Sequence, residues 1–219
     1  LSLPVKIDPA QLRGATFFRR SLWISPEDVE TLKHSAQSHG ITLPILFATA
    51  YGLVLSRWSA RHHFFISLPT FDRVQHNDDI ASMVADFTNI LILEMDFRQC
   101  GNFAEACRKQ QWCFRESMSY SEFSGVEVLR ELSRRRGATI ETAAVFTSAM
   151  GMGELIDQDV RDVLGEPSYM ISQTPQVWLD HQVVEHNGGL LINWDSVDQL
   201  FPEGTMDAMF DGFKMLLSR

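Results

Sequence analysis

Apolar positions in this 219-residue chain recur at two periods, and the changes of period divide it into elements. Residues 16–24 read as extended. Ser25, Pro26 and Asp28 supply an N-cap, a first-turn proline and a helix-start acid, so a helix is predicted from there to Gly40. Thr42 is expected to cap a second helix over 43–58, whose apolar residues go nearly all the way round and mark it as buried on most sides. Residues 64–68 and 89–97 are short β-rich runs, predicted as strands, with a polar loop holding Phe71, Asp72 and Arg73 between them. Phe103, Ala106, Cys107, Phe114 and Met118 recur at three- and four-residue intervals, which predicts an amphipathic helix, and another follows over 124–136. The period then shortens. Residues 143–150, 169–173 and 177–185 read as strands, Asn187-Gly188 is a hairpin signal, and 190–194 is the return strand. A last helix, over 202–217, carries Met206, Met209, Phe210, Phe213 and Leu217 on one side.

Long helices with separated strands and one late hairpin predict an α/β sandwich, a mixed sheet with helices packed on it. Residues 1–15 read as an extended linker, and the chain as a piece of something longer. A hydrophobic share of 45% and a charged share of 21%, without repeats or low-complexity tracts, are enough for an ordinary core. No apolar stretch is long enough to span a bilayer and no secretory signal is visible, so a cytoplasmic setting without membrane is the default expectation.

The formal net charge of −9 argues against a nucleic-acid partner. The one basic run, Arg134 to Arg136, ends a predicted helix just before Gly137, where cations complement the helix dipole. Cys100, Cys107 and Cys113 match no zinc spacing and read as thiols of a reducing compartment; no metal is expected. His62-His63 lacks a following aspartate, and His181 should face away from Asp180 on a strand, which suits a structural or interfacial role. There is no phosphate-binding glycine loop and no nucleophile elbow, and Gly151 and Gly153 read as a turn, so kinases, dehydrogenases and ordinary serine hydrolases are disfavoured.

What remains is three islands of polar residues inside otherwise apolar strands, where burial is costly unless hydrogen bonding or function offsets it. They are Asp86 with Thr88, Thr147 with Ser148, and Gln173, Gln176 and Asp180. In the third island the strand reading places Gln176, Trp178 and Asp180 on one face. A carboxylate beside tryptophan suggests a partly desolvated acid with a raised pKa, suited to proton transfer. On residue type alone, a buried, hydrogen-bonded structural aspartate remains the better account of Asp180.

The same islands carry a resemblance. Ala-Asp-Phe-Thr at 85–88, Val-Phe-Thr-Ser at 145–148, and Ser-Gln-Thr-Pro-Gln-Val-Trp-Leu-Asp at 172–180 followed by Trp194-Asp195 are similar to motifs of the heterocyclisation domains of nonribosomal peptide synthetases. Thr42, Phe47, Val54, Leu55 and Trp58 follow the family's helix pattern, and Leu3-Pro4-Val5 with Pro9 its mid-domain linker. The resemblance covers essentially the whole chain. It implies the C-terminal half of a pseudo-dimeric domain, a chloramphenicol acetyltransferase-like two-layer sandwich with the active site in a tunnel between halves. It implies Asp180 as proton carrier with Thr147 as its hydrogen-bonding partner, and Gln176, Trp178, Ser148 and Gln173 as substrate-binding residues. Asp86, Thr88, Trp194 and Asp195 are implied as structural motif residues. The implied partners are the N-terminal half, upstream and downstream peptidyl carrier proteins and a neighbouring adenylation domain. Substrates ride on the carriers' phosphopantetheine, with no cofactor bound directly, and the isolated half is expected to be inactive. Departures are Leu43 and Ala144 in place of prolines, and Ser67 where relatives often carry asparagine. A plain condensation domain, or a non-catalytic docking module for carrier proteins, are the competing readings.

Overall fold

The computed structural model describes residues 1–71, 77–140 and 142–218, so Asp72 and Arg73 of the expected polar loop lie outside the described residues. Six strands form one mixed sheet: β1 (Phe18–Ile24), β2 (His63–Phe71), β3 (Thr88–Asp96), β4 (Ala144–Ser148), β5 (Leu179–His186) and β6 (Gly189–Ser196). Their order is β1-β6-β5-β4-β2-β3. The pairs β2–β4 and β4–β5 are parallel and the other neighbours antiparallel. The helices are α1 (Pro26–Ser38), α2 (Leu43–Trp58), α3 (Phe103–Met118), α4 (Gly125–Arg136), α5 (Gln158–Leu164) and α6 (Thr205–Leu217).

The strand period of two separates the chemistry of the sheet's faces. On β5, Leu179, His181 and Val183 are buried in the helix-covered layer, while Asp180 and Gln182 point the other way. On β6, Ile192 and Trp194 join the core, and Asn193 and Asp195 turn to the opposite face, where they bond Ser21 and Arg19. Helix α2 is the spine of the core layer. Phe47, Tyr51 and Leu55 are fully buried, and the Tyr51 hydroxyl donates to the Leu179 carbonyl at 3.2 Å. Around it α6 contributes Met209 and Phe213, and Phe213 meets His181 edge-on.

On the opposite face α4 packs against β3. Gly125 makes this approach possible, since a Cβ there would stand 2.7 Å from the Ile90 carbonyl oxygen and 2.9 Å from the Ile92 side chain. A capping box starts the helix, with Ser124 and Glu127 satisfying each other's end groups, and Gly137 closes it at φ +63°.

Most predicted elements fall where the pattern puts them. Ser25 caps α1 through the Asp28 N–H, and Asn187 and Gly188 both adopt positive φ in the tight β5–β6 hairpin. Three expectations need correction. Residues 169–173 form no strand: they cross the polar face, where the Ser172 N–H donates to the Asp195 carboxylate at 2.7 Å instead of joining a ladder. Thr42 makes no side-chain cap; its hydroxyl and N–H both donate to Gln111 Oε1 at 2.9 Å, which ties the start of α2 to α3. Residues 1–15 are extended at first, as expected, yet docked. Leu3 enters the core, and the Lys6 N–H donates to the Leu200 carbonyl at 2.7 Å. Helix α5, seven residues with no buried side chain, had no periodic signal to betray it.

Candidate active site

Between α4 and the exposed face of the sheet lies a cleft of about 740 Å³. Its floor is polar, with Ser67 from β2, Thr147 from β4 and Asp180 and Gln182 from β5, while Val126 and Leu129 of α4 and Val177 make apolar walls. Thr142 joins the floor through a short hydroxyl–hydroxyl bond to Ser67. This is a concave, largely apolar site with a few convergent polar groups, the usual form of a small-molecule pocket.

Asp180 is 5% exposed and lies in register with Val145 on one side and Asp195 on the other. Burial pushes its carboxyl above the usual value, and the neighbouring Asp195 charge adds to this, while the hydrogen bond from Gln182, the nearby Ser172 side chain and the Arg19 charge pull the other way. One oxygen, Oδ2, accepts from Gln182 Nε2 at 2.8 Å. The other, Oδ1, is buried without a hydrogen-bond partner among the described residues. A carboxyl that resists ionisation and keeps one oxygen uncommitted at the floor of a cleft is equipped to hold and move a proton.

Asp195 is fully buried and held by Arg19 through two bonds, Nε to Oδ1 at 2.7 Å and Nη2 to Oδ2 at 2.5 Å. Arg19 Nη2 also donates to Gln182 Oε1 at 3.2 Å. Three strands therefore lay Arg19, Asp195 and Asp180 side by side, with Gln182 bridging them.

The site residues read from sequence divide accordingly. Thr147 and Asp180 share the cleft, but no hydrogen bond joins them among the described residues. Thr147 is in register with Gln182, and Gln182 reaches the Asp180 carboxylate from the same strand face. Gln176 lines the cleft from a turn at φ +68°, not from a strand. Trp178 does not share its face: β5 begins only at Leu179, and Trp178 lines a separate hollow with Gln173, against Leu12 and Phe17. Ser148 stands outside the cleft lining, on the opposite side of β4 from Thr147. Asp86 is exposed in a loop, not set in a strand; the side chain of Thr88, the first residue of β3, and then its N–H, which donates to Asp86 Oδ1 at 2.9 Å, hold the Asp86 carboxyl below the usual value.

His62, His63 and His181 have structural partners. His181 is fully buried, with Trp194 Nε1 donating to its Nδ1 at 2.6 Å, and burial pushes its pKa down to about 3. His62 is tied to Ser56 at 3.0 Å and His63 to Glu94. Gln182 and Arg19 were missed. Gln182 could have been found, being two residues beyond Asp180 on one strand face; Arg19, some 160 positions away in sequence, is brought in by strand register alone.

The chain is similar to known proteins over most of its length. The phenyloxazoline synthase MbtB of Mycolicibacterium paratuberculosis is 40% identical over 214 residues, 95% of this chain and 18% of that protein. The pyochelin synthetase PchE of Pseudomonas aeruginosa is 38% identical over 218 residues, 100% of this chain and 15% of that protein. The chain thus spans less than a fifth of either relative. Among solved structures, the EpoB NRPS cyclization-docking bidomain from Sorangium cellulosum matches with a TM-score of 0.87 and 32% identity, over 100% of this chain and 44% of that one. The two-layer α/β fold expected from the resemblance is therefore present. The family model described as "Condensation domain" matches residues 1–219, and with the match running from end to end the chain belongs to the condensation domain family.

Proposed function

We propose that this chain is the C-terminal half of a heterocyclisation domain of a nonribosomal peptide synthetase. It works with an N-terminal half, upstream and downstream peptidyl carrier proteins and an adenylation domain, in the cytoplasm. In this reading, an acyl or aminoacyl thioester on one carrier's phosphopantetheine condenses with cysteine, serine or threonine on another. The side-chain sulfur or oxygen then loses its proton and attacks the new amide carbon. The former carbonyl oxygen takes up protons and leaves as water, the amide nitrogen gives up its hydrogen, and a C=N bond closes the thiazoline or oxazoline.

The observation that carries this reading is Asp180, a carboxyl with a raised pKa and one uncommitted oxygen in a walled cleft. It can take the nucleophile's proton and return one to the departing oxygen, which is general acid–base work. Thr147 lines the same floor and is assigned to the cyclising intermediate, not to Asp180 itself. Asp86 with Thr88 is assigned to bracing the junction between halves. The names of MbtB, an oxazoline synthase, and of the EpoB cyclization domain favour ring closure over plain condensation.

The test is reconstitution of the chain with its N-terminal half and two loaded carrier proteins, read by mass spectrometry. A condensed product lacking one water is expected. Condensed but uncyclised product throughout points to plain condensation, and no product to a docking role. Asp180→Ala, with folding confirmed, should slow cyclisation by about 10²- to 10⁴-fold; ring closure at the normal rate overturns the assignment.

A further inference from the structure

Gln182 holds the Asp180 carboxyl, yet it belongs to none of the motifs quoted above. Its amide is fixed at both ends. Arg19 Nη2, with no acceptor of its own, requires Gln182 Oε1 to face it at 3.2 Å. That turns the Nε2 group toward the carboxylates, 2.8 Å from Asp180 Oδ2 and 3.4 Å from Asp195 Oδ2. Arg19 is itself held by both oxygens of Asp195, so the amide cannot flip without losing the bond to Arg19. The consequence at Asp180 is asymmetric: Oδ2 is occupied and Oδ1 is left without a partner among the described residues.

We infer that Gln182 is a positioning residue for ring closure: oriented by the Arg19–Asp195 pair, it occupies Asp180 Oδ2 so that Oδ1 is the oxygen presented to substrate. This rests on the assignment of Asp180 as proton carrier. The charged and titratable groups around Asp180 are Asp195 and Arg19 from β6 and β1, Arg130 lining the same cleft from α4, and Tyr51 of α2 in the core layer beneath. Thr147 and Val145 of β4, and Ser172 from the crossing segment, are uncharged.

Two variants within the full synthetase test the inference, with condensed and cyclised products counted separately across pH. Gln182→Glu keeps the size and the acceptor for Arg19, loses the N–H and adds a carboxylate beside Asp180. Cyclisation should fall about 10- to 100-fold, the scale of misplaced catalytic groups, with condensation spared. The acidic limb of its cyclisation profile, which reports the ionisation of the proton-accepting Asp180, should move up by roughly one pH unit, as expected when carboxylates share a site. Gln182→Ala should accumulate the same uncyclised intermediate. Equal loss of both steps without a shift in profile would mean a merely structural glutamine and overturn the inference, as would unchanged kinetics. Asp180→Asn, run alongside, separates the two ideas. If it cyclises normally, the assignment of Asp180 is wrong; if it fails while both Gln182 variants behave as wild type, only the inference about Gln182 is wrong.

Discussion

At the scale of single residues, two adjacent titratable groups on β5 face opposite layers and should give opposite pH dependences. Asp180 has a folded-state pKa raised from 3.8, so the folded protein binds its proton more tightly than the unfolded chain does. Its contribution to stability is complete below 3.8 and is lost as pH rises through the folded value. Asp180→Asn, which cannot ionise, should therefore gain in urea midpoint relative to wild type at pH 8, and the gain should shrink as pH is lowered toward 3.8. His181, fully buried, has its pKa lowered from 6.5 to about 3, so the unfolded chain takes up a proton that the folded protein refuses. Stability should drop by about 1.4 kcal/mol per pH unit on acidification through that window. His181→Leu should flatten this limb in urea titrations between pH 7 and 4, whatever its effect on absolute stability. Since the two linkages oppose each other, differences between each variant and wild type reveal them better than the wild-type curve does.

At the scale of elements, α4 depends on one missing side chain. A methyl at Gly125 would meet a backbone carbonyl on β3, which cannot swing aside as a flexible side chain could. Gly125→Ala should cost about 1–3 kcal/mol, the usual range for overpacking, visible as a lower Tm. Because α4 forms one wall of the cleft, substrate affinity should fall with it. The elements most legible in the sequence were those with strong local signals: the cap of α1, the basic end of α4 before Gly137, the apolar girth of α2, and the Asn187-Gly188 turn. The failures had physical causes of their own. Residues 169–173 carry strand-like composition, but form no ladder, and the Ser172 N–H goes to a buried carboxylate from another element. Trp178 was assigned a face by extending β5 backward past its true start, and Thr147 was paired with Asp180 although Gln182, on the same strand face, reaches it first. Motif order located the cleft; which side chains bond within it depended on register between strands distant in sequence.

At the scale of the whole molecule, the sheet is one-sided. Four helices bury one face, while the other is covered by α4 and by the irregular crossing near residues 165–178. The N-terminal segment helps close the buried side through Leu3, so Leu3→Ala should destabilise the fold by about 2 kcal/mol in thermal or urea unfolding, although composition places it in a linker. The row Arg19–Asp195–Asp180 has a consequence for engineering. Each member takes its place on the polar face of the sheet through its odd or even position along its strand, and the neighbouring Arg20 serves the helix layer instead, bonded to Asp207 of α6. The two-residue hairpin sets the phase between the Asp180 and Asp195 strands. Adding one residue there would exchange the parity of β6, sending Trp194 toward the cleft and Asp195 into the core; adding two would keep parity and only slide the row. Chimeras spliced between relatives should therefore tolerate even changes of length in this hairpin far better than odd ones, and the Arg19–Asp195–Asp180 row survives recombination only where the count of residues stays in phase.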